Sequence, residues 1–323
     1  MKKLFMFCLA LVFSFSISLQ AAVKMKIAIV TNPQSGHYLA SKKFKEIVEK
    51  ETGGKYQFKI YHSGSLGNES SILQQIQLGT VDLGVITSGP IGNFNKDIQL
   101  FDLPFIFKNY KQADAILDGP IGRQVLDSLE KQGFKGLHFL ENGFRNLTNN
   151  VRPVHTVADV KGLKIRTMAA PAHVKLWRML GANPTPMGWP INTELQQGTI
   201  DGQENPLWVI DKYKLYEVQK YLSFTRHVYS PLVFIMNLNK FKSLPAKDQK
   251  LFMKAAAIAS NYERKWNRDN NAGFLKHLKQ MGMIIDEHPD VASFRRKIAP
   301  IYDDAKKNIG NGLVDKLLKA IKK

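Results

Sequence analysis

The longest apolar run comes first. Leu4 to Leu19 is interrupted only by small serines, Lys2 and Lys3 precede it, and Ala21 and Ala22 follow. A charged start, an apolar middle and a small-residue exit make residues 1–22 a secretory signal peptide. The alternative is an uncleaved anchor, but the run is short of the about 20 residues that span a bilayer. Beyond it the pattern shortens. Residues 26–31 form a β-rich run, and Asn32-Pro33-Gln34-Ser35-Gly36 is loop chemistry. Phe44, Ile47 and Val48 then share one face of a helix that Gly53 and Gly54 end. Residues 56–61 alternate as a strand, and 64–67 form a turn. Asn68 is placed to cap a helix carrying Ile72, Leu73, Ile76 and Leu78. Gly79 closes it, and residues 81–86 return as a buried strand.

This strand–helix–strand rhythm predicts parallel sheets with helices on both faces. The apolar segment 102–107 should lie under the lobe so formed. Helices are expected over 111–117 and 121–132, and a strand over 136–140. An internal echo follows. Residues 73–82 read Leu-Gln-Gln-Ile-Gln-Leu-Gly-Thr-Val-Asp, and residues 195–201 read Leu-Gln-Gln-Gly-Thr-Ile-Asp. Each is a helix end, a glycine stop and a strand opening on Thr, a β-branched residue and Asp. The echo predicts two lobes with similar wiring. The second would begin near Arg145, with a strand over 159–166 and a helix over 171–180. The tail is helical: 245–281 reads as one long helix with Phe252, Ala255, Ala256, Ala259, Tyr262 and Trp266 along a face. So long a helix could bridge both lobes. A strand over 283–286 and helices over 294–307 and 313–322 complete the expectation.

Composition narrows the class. The chain has 323 residues and one cysteine, Cys8, inside the leader. The exported product is therefore expected to lack thiols, disulfides and cysteine metal sites, and to rely on a large core. Without Lys2 and Lys3 the 46 basic residues fall to 44 against 27 acids, a net charge of +17. That attracts anions, but no zinc knuckle, recognition helix or aromatic RNA-binding strand is present, and no nucleic-acid partner is expected. The lysines are scattered along helix faces, where they are mostly solvated, with some steering of an anionic ligand.

The enzyme motifs are missing. There is no G-x-S-x-G elbow, no H-E-x-x-H, no phosphate-binding loop and no complete dinucleotide fingerprint. What remains is a set of polar groups at strand ends, where open α/β lobes bind ligands. Arg166 ends the run Gly-Leu-Lys-Ile-Arg, and its planar fork fits a carboxylate through two parallel bonds. Arg145 follows Gly143-Phe144 at another strand end, Asn205 precedes Pro206, and Trp189 follows Thr-Pro-Met-Gly. Taken singly, an arginine here is commonly a surface ion pair, Asn205 a helix cap, and Trp189 a core residue.

Taken together, several segments carry a resemblance. They are Tyr61-His-Ser-Gly-Ser-Leu-Gly-Asn-Glu69, Leu78-Gly-Thr-Val-Asp82, Gly162-Leu-Lys-Ile-Arg166, Leu180-Gly-Ala-Asn-Pro-Thr-Pro-Met187, Leu195-Gln-Gln-Gly-Thr-Ile-Asp-Gly-Gln-Glu-Asn-Pro206, Tyr216-Glu-Val-Gln-Lys-Tyr-Leu222 and His227. Over nearly all of the mature chain it resembles the solute-binding proteins of tripartite ATP-independent periplasmic (TRAP) transporters, the DctP type. The resemblance implies an α/β, two-lobed periplasmic-binding-protein-like fold with hinge strands and a long bridging helix. Lobe I would comprise 23–142 plus 231–270, and lobe II 143–230 plus 271–323. It implies a periplasmic binding protein rather than an enzyme, without cofactor or metal and expected to be monomeric. It would deliver a small-molecule carboxylate to the small and large membrane subunits of a TRAP permease. Arg166 matches the family arginine that pairs with the ligand carboxylate, Arg145 a second pocket arginine, and Asn205 a pocket amide. Trp189 sits where an aromatic ring meets the ligand, and Glu69 and Thr87 match further pocket positions. Thr87 and Ala169 depart from the acid and asparagine of the sialic-acid binders, which argues against that ligand. The segment 190–194 is one residue short and lacks a tyrosine common in the family. A C4-dicarboxylate and a sugar acid both remain compatible. The rival from another class is an exported lyase or hydrolase acting on an organic acid.

Overall fold

The computed structural model describes residues 21–310 and 312–322. The expected signal peptide, with Cys8, lies outside them save for its last two residues. Among the described residues nine strands form one sheet: β1 (Val23–Ala28), β2 (Tyr56–Tyr61), β3 (Leu83–Thr87), β4 (Phe134–Asn149), β5 (Lys164–Thr167), β6 (Asn183–Pro186), β7 (Gly202–Asn205), β8 (Tyr221–Asn237) and β9 (Ile284–Asp286). Their order is β2-β1-β3-β8-β4-β7-β5-β6, with β9 beside β8. The outer strands are parallel on each side, β1 with β2 and β3, and β5 with β6 and β7. The centre is antiparallel, where β8 pairs with β3 and β4, and β4 with β7. The expected parallel arrangement therefore holds within each lobe, and a mixed sheet joins the lobes.

The joint is made by β4 and β8. They pair along their length, from Phe134↔Asn237 to Asn149↔Tyr221, with register shifts between Gly136/His138, Glu141/Gly143 and Arg145/Leu147. One end of the ribbon carries β3 and the first lobe, the other β7 and the second. The sequence reading ended the strand at residue 140 and contained no element for Tyr221–Asn237. The reason is polarity. Glu141, Asn142, Arg145, Asn146, Thr148, Ser223, Thr225 and His227 are all buried, so the ribbon lacks the apolar alternation that marks an ordinary strand.

Local chemistry explains the ends of the elements. Ser35 Oγ accepts from the Tyr38 N–H at 3.2 Å to start the Gly36–Glu51 helix, and Asn68 Oδ1 accepts from Ser71 at 3.0 Å to start Glu69–Leu78. Gly79 ends the latter at φ 77°, a left-handed stop. The echo is a shared joint. Asp82 Oδ2 accepts from the Lys26 N–H at 2.7 Å and Asp201 Oδ2 from the Lys164 N–H at 2.7 Å. The lysine side chains reach back to Thr80 O at 3.1 Å and Gly198 O at 2.8 Å. Each aspartate thereby fixes the parallel strand next to its own, β1 in one lobe and β5 in the other.

The Ala246–Gln280 helix is 35 residues long. Phe252, Ala255, Ala256 and Ala259 pack with Phe44 and Phe234 in the first lobe, while Phe274 and Leu278 pack with Trp208 and Ile210 in the second. Its middle turns are polar and meet β4. Glu263 Oε2 accepts from the Glu141 N–H at 2.9 Å, and Arg268 Nη2 reaches Glu141 Oε2 at 2.6 Å and Asp114 Oδ1 at 2.7 Å.

Other elements differ from expectation. Val157–Val160 is a short 3-10 turn capped by Thr156, leaving β5 as four residues. The tail helix expected over 294–307 is two, Val291–Ile298 and Ile301–Asn308, parted at Pro300, which cannot donate within a helix. The last helices also change sides. Ala305, Ile309, Leu313, Val314 and Leu317 join the first lobe's core with Ile72, Ile116 and Phe139, whereas 271–323 was assigned to lobe II. Among the described residues no helix is long and apolar enough to cross a membrane.

Phe44 is the test of the first-lobe core. It is wholly buried and its ring lies 4.6 to 5.5 Å from those of Phe58, Phe234 and Phe252. Phe44→Ala should cost about 3–5 kcal/mol of unfolding free energy in urea titrations; a loss under about 1 kcal/mol would contradict this packing.

Candidate functional site

Between the lobes lies a cavity at the carboxyl ends of β3 and β5. Arg166, Asn205, Trp189, Glu69 and Thr87 all line it, together with His37, Asn142, Trp208 and Tyr213. A second cavity shares Glu69, Arg166 and Trp189 and is lined as well by Asn68 and Gly188. The lobes touch around this space. The Asn32 N–H donates to the Tyr213 hydroxyl at 3.0 Å, and Asn93 Nδ2 donates to Ala169 O at 2.6 Å.

Arg166 is 3% exposed. Its Nε and Nη2 donate to Met187 O at 3.1 and 2.6 Å, and its guanidinium lies 5.5 Å from the centre of the Trp189 ring. Among the described residues no carboxylate oxygen lies within salt-bridge distance of it; the ion pairs found run elsewhere. Burial pulls its guanidinium down to about 10, and the neighbouring Arg145 charge adds to this. Such a cation is held ready for an anion from outside.

Arg145 sits differently from expectation. It is wholly buried, absent from the cavity lining, and engaged with a residue that the sequence reading did not single out. Its Nε and Nη2 clasp the Glu204 carboxylate, with Nη2 at 2.9 Å from Oε1 and a short contact from Nε to Oε2, and Nη2 also meets Glu204 O. Its Nη1 is left without a partner. His227 Nε2 lies 3.0 Å from Glu204 Oε2, and His173 bridges Glu204 Oε1 and Asp102 Oδ1 at 3.4 Å each. Both His173 nitrogens thus face carboxylate oxygens, which suits the doubly protonated ring. Burial opposes that charge, but Glu204 and Asp102 hold His173 above its ordinary value. Burial also opposes ionisation of Glu204, yet Arg145 and His173 hold its carboxyl well below the usual carboxylate range.

The first-lobe wall is built by Glu69 and Thr87. Glu69 Oε1 accepts from the Thr87 N–H at 2.7 Å and hydroxyl at 2.6 Å. Burial raises the Glu69 carboxyl, and the Thr87 bonds and Arg166 pull it back. Asn205 Nδ2 donates to Gln203 Oε1 at 2.5 Å, and Trp189 stands edge-on to Tyr213 at 4.7 Å. His37 is buried against Trp208, with ring centres 5.7 Å apart, and burial lowers it to about 3. The available signal for His37 was its place in the first turn of the helix that follows the polar loop 32–36; for Glu204 it was the residue next to Asn205.

The model of bacterial extracellular solute-binding protein family 7, DctP, matches residues 27–308. The chain belongs to the DctP family. It is 35% identical over 282 residues to the 2,3-diketo-L-gulonate-binding periplasmic protein YiaO of Escherichia coli, covering 87% of this chain and 86% of that one. A TRAP periplasmic solute-binding protein from a Polaromonas species, solved bound to D-erythronate, superposes with a TM-score of 0.89 at 38% identity, covering 92% and 98%. The sugar acid binding protein DctPAm of Advenella mimigardefordensis, solved in complex with galactonate, gives 0.89 at 35% identity, covering 93% and 98%. The DctP chain described here is thus a two-lobed TRAP-type solute-binding protein, of a family of binding proteins and not of enzymes.

The two arginines make opposite predictions for the ligand-free mature protein. Arg145→Met strands the buried Glu204 and should cost about 3–5 kcal/mol. Arg166→Met removes a buried cation with no acid partner, so its melting temperature should equal or exceed the parent's; a larger loss at Arg166 than at Arg145 would contradict this division of roles. His37 gives a pH test. Its value drops from 6.5 in the unfolded chain to about 3 when folded, so its contribution is present above pH 6.5 and is lost as pH falls towards 3. His37→Phe should flatten the fall of stability across that window in denaturant titrations, and an unchanged slope would count against the burial of a neutral ring.

Proposed function

We propose that this protein captures an organic acid outside the cytoplasm, holds its carboxylate on Arg166, and delivers it to the membrane subunits of a TRAP permease. The observation that carries this is Arg166 itself: a buried guanidinium lining the cavity between lobes, with no acid partner among the described residues. A carboxylate completes that fork through parallel, charge-assisted bonds, which gain strength once water is excluded. Asn205 adds an amide donor, Trp189 a ring face, and Glu69 with Thr87 the wall on the first lobe. Arg145 acts from behind, through its charge and its grip on Glu204. The acid drives closure through its better affinity for the closed form, in which the Asn32–Tyr213 and Asn93–Ala169 bonds join the lobes. The closed monomer is the form the permease recognises. That YiaO binds a keto sugar acid, and that two structural neighbours hold erythronate and galactonate, supports the ligand class.

Thermal unfolding of the ligand-stripped mature protein with D-erythronate and D-galactonate tests this. A ligand at about 100 times its dissociation constant should add about 2.7 kcal/mol. Arg166→Ala should abolish the shift. Arg166→Lys, which keeps the charge without the fork, should weaken affinity by about tenfold or more. Full binding by Arg166→Ala would overturn the clamp.

A further inference from the structure

We infer that the first-lobe side of the cavity is a pole without a cation that reads hydroxyl groups, built by His37 and Asn142 beside Glu69, and that it selects hydroxylated monocarboxylates over dicarboxylates. The inference rests on the carboxylate reading above and names its ligand class. Three buried atoms on cavity-lining residues have no partner among the described residues: Trp189 Nε1 on the second lobe, and His37 Nδ1 and Asn142 Oδ1 on the first. A buried polar atom left unpaired costs about 1–3 kcal/mol, and native structures keep few of them. A ligand hydroxyl is both donor and acceptor, so it can satisfy any of them. The neutral imidazole of His37 likewise offers one donor and one acceptor.

The charges of the walls point the same way. Among the described residues Arg166 is the one lysine or arginine lining the cavity; Arg145 lies behind it and is neutralised by Glu204. The other charged lining group is Glu69, which Thr87 holds in place through two bonds to a single oxygen. One carboxylate of a ligand can pair with Arg166. A second would enter a pole with no cation among the described residues, next to the Glu69 carboxyl, and would be buried uncompensated. A chain of hydroxyls meets no such opposition, and Glu69 accepts from them.

Isothermal titration of the mature protein with two matched sets of acids tests this. The four-carbon set is D-erythronate, 2-hydroxybutyrate and malate, which share a carboxylate and a C2 hydroxyl. The six-carbon pair is D-galactonate and its dicarboxylate counterpart galactarate. The aldonate should bind at least about tenfold tighter than the dicarboxylate in the set that fits, and D-erythronate about tenfold tighter than 2-hydroxybutyrate. His37→Phe keeps the ring and removes the nitrogens. It should cut the preference for the hydroxylated acid by about tenfold, the worth of one hydrogen bond left unmade. Glu69→Gln should raise dicarboxylate affinity relative to aldonate. Equal binding of mono- and dicarboxylates, or an equal loss of hydroxylated and deoxy acids in His37→Phe, would overturn the hydroxyl-reading pole and leave the Arg166 clamp standing. Binding of no acid in either set, by the parent protein, would overturn the carboxylate reading and this inference with it.

Discussion

The Glu204 carboxylate is the buried charge around which the interior is arranged. It stands on β7 and is held by Arg145 on β4, His227 on β8 and His173 on the Pro171–Leu180 helix. Through His173 the chain of contacts passes to Asp102, and Ser88 Oγ donates to the same Asp102 oxygen at 2.8 Å. Ser88 follows Thr87, whose hydroxyl holds Glu69. A continuous polar path thus runs from the second lobe's sheet to the first lobe's wall. Each charge on it has an opposite charge or a hydrogen bond, which is the condition for burying ions at all. Arg166 stands just outside this compensated path.

That difference separates a charge compensated within the chain from one left open more sharply than residue type does. Both arginines stand on strands, Arg145 within β4 and Arg166 near the end of β5, and both are buried. One has its acid inside the chain, and the other borrows only the Met187 carbonyl. The sequence reading treated them alike because pairing across 59 positions, from Arg145 to Glu204, leaves no local trace. Arg166 and Asn205 were legible because they sit in runs whose neighbours fix their place at strand ends. His37 was not, because its role depends on burial against Trp208, far along the chain.

The fold was legible where apolar periodicity and stop signals agree. The cap at Asn68, the Gly79 stop and the long bridging helix follow from residues within a few positions of each other. The echoed aspartates were also legible, since a side chain that grips the next strand's backbone needs a fixed spacing from the glycine before it. The central ribbon was not. Its buried face is polar, so the cues for a strand and for a loop coincide, and only the partners supplied by β7, β8 and the long helix tell them apart. The terminal helices followed the same logic: their apolar faces showed that they pack, not against which lobe.

The ribbon also sets how such a molecule can move. In β4 and β8 the same two strands belong to both lobes, and neither lobe hangs from a loop. Opening must therefore bend the sheet itself, where its register shifts interrupt the ladder between Gly136 and Leu147, and the long helix alongside must flex with it. The lobes part in the manner of a leaf spring, not of a door on a pin. Deformation is spread over many residues, and a restoring force acts at every intermediate opening.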